Sequence, residues 1–197
     1  MQSASKRVVG IGGNIGTGKT TVAQIFKEFG AHYISADEIG WEVLPKIADV
    51  LQDRFGEGIM LGSNINKKKL RELVFSDSSN LEFLNRASHP VLTKRIIATI
   101  SSIQSGVVVI DAALLFDWPE VYSVVDYPIL VKARQDIMLA RAKAKGISEG
   151  LFKQILLMQK DEKKMAAKSV FVIENNGTIA ELREKCSEIY QKIKDDC

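Results

Sequence analysis

The chain has 197 residues, 27 Lys+Arg against 24 Asp+Glu for a formal charge of +3, and is 46% hydrophobic with 14 Gly, 4 Pro and 2 Cys. That composition excludes collagen-like, disordered and disulfide-framework chains. A net charge of +3 gives no ground for a nucleic-acid partner, and no apolar run approaches the ~20 residues that span a bilayer.

The segment from Met1 to Arg7 is polar and basic, and the apolar run after it is short and glycine-rich, unlike a signal peptide. A β-type run follows at Arg7–Ile11, then a glycine-rich turn, then a helix over Thr20–Phe29 with Val22, Ile25, Phe26 and Phe29 on one face. A weaker strand is expected at Ala31–Ser35. Residues 39–90 read as a mostly helical, charged excursion carrying Lys67, Lys68, Lys69 and Arg71. Helical spacing returns over Leu92–Ile103, with Ile96, Ile97, Ile100 and Ile103 on one face.

Strands are then expected at Val107–Ile110 and, interrupted by Pro128, at Val124–Val131. An amphipathic helix follows at Gln135–Lys145. A Lys-rich excursion over residues 142–168 is expected to hold one long helix. A weaker strand at Val170–Ile173 and a helix at Ala180–Ile193 complete the pattern. Strands alternating with helices imply an α/β fold: a doubly wound parallel sheet with helices on both faces, in one domain. Continuous apolar runs such as Val107–Ile110 fit strands buried on both faces. Cys186 and Cys197, close together near the end, fit free thiols in a reducing, cytoplasmic setting.

The turn Gly13-Asn14-Ile15-Gly16-Thr17-Gly18-Lys19-Thr20 satisfies G-x-x-x-x-G-K-[ST], between an expected strand and an expected helix. Its chemistry follows from its parts. Glycines let backbone N–H groups close on phosphate oxygens, and the helix N-terminus adds partial positive charge. The Lys19 ammonium reaches the β- and γ-phosphates, and the Thr20 hydroxyl is placed for Mg²⁺. No Asn-Lys-x-Asp guanine signature is present, since Asn66-Lys67-Lys68-Lys69 lacks the Asp. What remains is a small phosphotransferase with a second substrate opposite the nucleotide.

An acceptor hydroxyl needs a carboxylate to take or orient its proton. In a doubly wound sheet that group belongs at strand C-termini beside the loop. Asp37 follows the second expected strand, and Asp111 closes Val107–Ile110 in the manner of a Walker B carboxylate. Plainer roles exist for both, a helix N-cap for Asp37 and a solvated strand end for Asp111. Beside a phosphate loop the functional roles take precedence.

The chain resembles the dephospho-coenzyme A kinases over nearly its whole length. Gly12–Thr21 looks like that family's GGIGSGKST, and the Asp37 segment resembles its D-A-D motif. Lys69–Phe75 is similar to its L-R-x-x-V-F stretch, His89-Pro90 to its L-H-P, and Asp111–Phe116 to its D-x-P-L-L-F. Arg141 matches a lid Arg, Gln159 a lid-helix Gln, and Ile173–Gly177 the I-x-N-x-G turn near adenine. Departures stand at Ser35 for the first Asp, Trp41 for an Arg, Ala113 for a Pro, Asp117 for a Glu, Lys145 for the second lid Arg, and Ser169-Val170 for Ala-Asp.

The resemblance implies a three-layer P-loop kinase fold: a core of about residues 6–38, 104–141 and 169–197, an acceptor-side excursion over 39–90 and a lid over 142–168. It implies transfer of phosphate from ATP·Mg²⁺ to the ribose 3′-hydroxyl of dephospho-coenzyme A. Asp37, Lys19 and Arg141 would be catalytic. Nucleotide would be held by Gly13, Asn14, Ile15, Gly16, Thr17, Gly18, Lys19, Thr20, Thr21, Lys145 and Asn175. Acceptor would meet Asp37, His89, Leu114, Leu115 and Arg71, and metal would meet Thr20 and Asp111.

For His89 an equal reading is a helix boundary before Pro90; for Leu114 and Leu115 plain core packing ranks higher. Gly146 and Gly150 are candidate lid hinges, and the Lys160-Lys163-Lys164-Lys168 run reads mainly as a solvated helix face. The expected partners are the two small-molecule substrates, with no nucleic acid and no membrane, for a monomer or weak homo-oligomer. The alternatives are another small-metabolite or nucleoside monophosphate kinase, or a catalytically weakened nucleotide-binding regulator.

Overall fold

The computed structural model describes residues 5–62, 64–159 and 161–196, Phe75 by its backbone only. In chain order its elements are β1 (Lys6–Gly12), α1 (Lys19–Glu28), β2 (His32–Ser35), α2 (Ala36–Val43), α3 (Ala48–Phe55), β3 (Met60–Leu61), β4 (Asn64–Ile65), α4 (Lys67–Ser76) and α5 (Ser78–Ser102). There follow β5 (Gly106–Asp111), α6 (Pro119–Tyr122), β6 (Tyr127–Lys132), α7 (Gln135–Ala144), α8 (Glu149–Met158), α9 (Glu162–Ala166), β7 (Phe171–Glu174) and α10 (Ile179–Asp195). The chain divides into two units, Met1–Ser35 with Thr99–Cys197, and Ala36–Ala98.

The first unit holds a five-stranded sheet in the order β2-β5-β1-β6-β7. All of its pairings are parallel. Val9, Ile11, Val108, Val109, Ile110, Ile129, Leu130 and Val131 are fully buried, as strands covered on both faces require. Over one face Val22, Ile25 and Phe26 of α1 pack with Leu182, Cys186 and Ile193 of α10. Tyr190 meets Phe26 edge-on at 5.5 Å between ring centroids, a geometry that aromatic pairs favour. A capping box fixes where α10 begins: Thr178 accepts from the Glu181 N–H while the Glu181 carboxylate accepts from the Thr178 N–H.

The second unit has its own small core of Leu44, Ile47, Leu51, Ile59, Leu70 and Val74. Phe55 and Phe83 meet edge-on against it, 5.8 Å between centroids. The β3–β4 hairpin is an antiparallel pair of two-residue strands inside the segment expected to be mostly helical.

Three expectations change. The strand expected from Val124 begins at Tyr127, because Val124 and Val125 complete the turn after α6, each N–H bonded to a carbonyl three residues back. Among the described residues, 142–168 hold the end of α7 and then two helices, α8 and α9, rather than one long one. Gln159 is extended, and Asp161 opens α9 by accepting from the Lys163 N–H. Finally, His89-Pro90 is no boundary, since α5 runs straight through Pro90. Proline offers no N–H to the carbonyl four residues back, normally a cost of ~3 kcal/mol in a helix interior. The Thr93 hydroxyl gives the turn an additional bond, donating to the His89 carbonyl at 2.9 Å.

Candidate active site

The turn between β1 and α1 is shaped by backbone that only glycine accepts. Gly18, the N-cap of α1, has φ +94°, and a Cβ there would collide with Asn175 Nδ2. Gly13 has φ +146°, and a Cβ there would strike the Val131 carbonyl. Inside the turn the Thr17 hydroxyl donates to the Asn14 carbonyl at 2.8 Å, and the Lys19 ammonium donates to the same oxygen at 3.1 Å. Thr20 and Thr21 are exposed in the first turn of α1.

Three distant side chains brace the turn from outside. Asn175, 5% exposed just past β7, donates from Nδ2 to the Thr17 carbonyl at 2.9 Å. Arg141 of α7 donates to the same carbonyl at 3.3 Å and to Asn175 Oδ1 at 3.3 Å. Gln159, after α8, accepts from the Ile15 N–H at 2.8 Å. Arg141 and Asn175, expected on the lid and beside adenine, thus converge on one carbonyl of the phosphate loop. Lys145 does not join them: it is exposed at the C-cap of α7 and makes no ion pair among the described residues.

Asp111 closes β5 half-buried, in register with Ile11 on one side and Ser35 on the other. The Tyr33 hydroxyl lies 3.5 Å from its Oδ2. Sequence reading missed Tyr33, although its two-residue offset from Ser35 places both on one face of β2. The turn after β5 separates two neighbours. Leu115 has no exposed surface and packs on Gly10, while Leu114 is half-buried. Leu115 therefore has no surface to offer an acceptor, because the missing side chain at Gly10 lets it fill the core.

Beyond it, Phe116, Lys164, Met165, Ala167 and Lys168 line a pocket of about 290 Å³, while Lys163, Lys164 and Lys168 are exposed, as a solvated face requires. Lys160 of that run lies outside the described residues, as does Cys197. Gly146 turns the chain after α7 with φ +79°, whereas Gly150 lies within the first turn of α8.

In the second unit, Asp37 is exposed in the first turn of α2. The helix opens at Ala36, so Asp37 is not the N-cap that the plainer reading made it. Its carboxylate sits where the helix dipole favours negative charge. His89 is half-buried in the middle of α5. Arg71 lies on α4 with its guanidinium carbon 5.2 Å from the centroid of Trp41, over which the Lys67 ammonium also sits at 4.8 Å.

The dephospho-CoA kinase family model matches residues 7–181. The chain belongs to this family. The dephospho-CoA kinase of Borreliella burgdorferi is 33% identical over 193 residues, covering 94% of this chain and 94% of its own. That of Aquifex aeolicus is 31% identical over 192 residues, covering 95% and 98%. A crystal structure of a Thermus thermophilus protein superposes with a TM-score of 0.77 at 25% identity, covering 95% of this chain and 98% of that one.

As a member the chain is a kinase, with the phosphate-loop α/β architecture expected. The departures of this kinase have visible settings. Ser35 is buried opposite Asp111, leaving one carboxylate between the paired strand ends. The Ser169 hydroxyl caps α9 by donating to the Met165 carbonyl at 2.8 Å, and the Val170 N–H donates to the Pro128 carbonyl at 2.8 Å. Trp41 stands where the family pattern has an Arg, yet two cations rest on its ring.

Proposed function

We propose that this kinase transfers the γ-phosphoryl group of ATP to the ribose 3′-hydroxyl of dephospho-coenzyme A, the last step of coenzyme A synthesis. The observation that carries the reading is the braced phosphate loop, with Lys19 inside it and Arg141 and Asn175 holding the Thr17 carbonyl, in a chain of this family.

In this reading the loop amides from Gly13 to Thr21 and the Lys19 ammonium hold the β- and γ-phosphates. Arg141 neutralises charge on the phosphoryl group in transit. The Asp37 carboxylate accepts the 3′-hydroxyl proton as the new O–P bond forms, and ADP departs as the bond from the γ-phosphorus to the bridging oxygen breaks. Thr20 and Asp111 supply hard oxygen donors, the type Mg²⁺ takes alongside substrate phosphates. Mg²⁺ held by these two residues would neutralise phosphate charge.

Leu114, His89 and Arg71 are the acceptor-side residues. Residues 142–168, with Lys145 at their start and Gly146 as a hinge, serve as the lid that keeps water from the γ-phosphate. The site of action is cytoplasmic. No helix among the described residues is long and apolar enough to cross a membrane.

The test is ADP release with dephospho-coenzyme A as acceptor, in the wild type and in Asp37→Asn. The amide cannot take a proton, so turnover should fall ~100-fold or more with ATP affinity nearly unchanged. An unchanged rate removes Asp37 from its role. ADP release with some other alcohol and none with dephospho-coenzyme A removes the substrate assignment.

A further inference from the structure

Helix α4 breaks two local rules at once. Its first three residues are Lys67, Lys68 and Lys69, with no acidic residue in the first turn. That is the end of a helix where the dipole disfavours cations. Lys67 and Arg71 are also four apart, so two like charges face each other on one side of the helix. Neither makes a salt bridge with a carboxylate among the described residues, and both side chains are exposed. Local rules broken without compensation concentrate at functional sites.

What gathers these charges is Trp41. Its indole, half-buried on α2 against the small core of the second unit, has the Lys67 ammonium at 4.8 Å and the Arg71 guanidinium at 5.2 Å from its centroid. Both lie within the range at which the electron-rich face of an indole attracts a cation. Partial burial fixes the ring, and the ring fixes the cations. A guanidinium docked by its face keeps its in-plane N–H groups available for paired bonds to phosphate oxygens.

We propose that Trp41, Lys67 and Arg71 form an anion clamp that takes the diphosphate bridge of the acceptor, with Trp41 as the positioning residue and the two cations as the contacts. The proposal rests on the acceptor being dephospho-coenzyme A, whose adenosine is joined to its pantetheine arm through a diphosphate. It gives the substitution at position 41 a physical sense. An arginine there would supply charge directly, whereas the tryptophan holds two charges from the neighbouring helix. Adjacent cations suit a diphosphate, whose two phosphoryl groups each bring negative charge.

Two measurements test it. In Trp118→Phe, Trp41 is the sole fluorophore of its kind, since the chain has 2 Trp. With the phosphate loop saturated by a non-hydrolysable ATP analogue, inorganic pyrophosphate should change Trp41 emission saturably. Arg71→Gln and Lys67→Gln should each weaken that response about 10-fold or more, the loss expected for one charge-assisted bond. No saturable response, or the same response in both variants, overturns the clamp whatever the activity assay shows.

The second measurement is the KM for dephospho-coenzyme A. It should rise in Arg71→Gln and in Trp41→Leu, and recover most of the way in Trp41→Phe. The KM for ATP and kcat should stay within about twofold of wild type, as expected when binding common to ground and transition state is lost. If kcat falls as far in Trp41→Phe as in Trp41→Leu with the acceptor KM unmoved, Trp41 is only structural and the proposal fails. A wild type that responds to pyrophosphate yet gives no turnover of dephospho-coenzyme A leaves the clamp standing and overturns the substrate reading instead.

Discussion

Asn175→Ala probes the brace on the phosphate loop. The substitution deletes a buried bond to the Thr17 carbonyl at 2.9 Å and the acceptor of a 3.3 Å bond from Arg141. Thr17 is itself 1% exposed, so water does not readily replace the lost partner. The Thr17 carbonyl keeps only the 3.3 Å bond from Arg141, and the loss of one buried bond and one long charge-assisted bond together corresponds to about 2–4 kcal/mol of stability. For a chain of this size that is a fall of roughly 5–15 °C in Tm, read by circular dichroism.

Function should fall by a separate route. With Thr17 held only by Arg141 and by its own hydroxyl, the loop is looser and must be refixed on binding, at up to ~1–2 kcal/mol of conformational entropy, or a rise of up to ~5- to 30-fold in the KM for ATP. Asn175→Asp separates the two effects. It keeps an acceptor for Arg141 and so should melt higher than Asn175→Ala. It also sets a carboxylate beside the site of the triphosphate and should raise the KM for ATP further. A Tm within about 1 °C of wild type together with an unmoved ATP KM in Asn175→Ala would refute the bracing role.

Pro90→Ala should restore the missing N–H in the middle of α5 and raise stability by about 1 kcal/mol, or 2–4 °C in Tm, measured by denaturant or thermal melts. Lys143 and Lys153 hold the Glu149 carboxyl down to about 2 from an ordinary 4.5. A depressed folded-state value means that its contribution is whole above pH 4.5 and is lost as pH falls toward 2. Glu149→Gln should therefore flatten the acid limb of stability in that window, and added salt should shrink the difference. Burial pushes the Cys186 thiol up to about 12 from 9.0. Native Cys186 should resist iodoacetamide at pH 8 and react only on unfolding, as peptide mass spectrometry would show. Because its folded-state value is raised, its contribution is whole below pH 9 and is lost as pH climbs toward 12.

The parts of the molecule most legible in sequence were those set by local chemistry. The glycine turn before Lys19 needs three residues with positive φ, and only glycine meets that need. Strands buried on both faces announce themselves as unbroken apolar runs, as at Val107–Ile110. The helix through Pro90 was less legible, because a proline reads as a stop and the neighbouring Thr93 hydroxyl lies outside that rule. Val124 and Val125 have strand chemistry but are spent on a turn. Least legible were contacts between distant residues. Asn175 meets Thr17 across 158 positions and Gln159 meets Ile15 across 144. No periodicity encodes such a pairing. The cations on Trp41 come from another helix; the sequence marked Arg71, a lysine run and a missing arginine, but not that they meet.

The strand order has a consequence for synthesis. β1 lies between β5 and β6, and Lys6 pairs with Gly106, roughly one hundred residues later on the ribosome. At about 5–20 residues per second, Val8, Val9 and Ile11 wait on the order of 5–20 s for their partners. During that interval an aggregation-prone stretch, which later carries the phosphate loop at its tip, is open to chaperones and to other nascent chains.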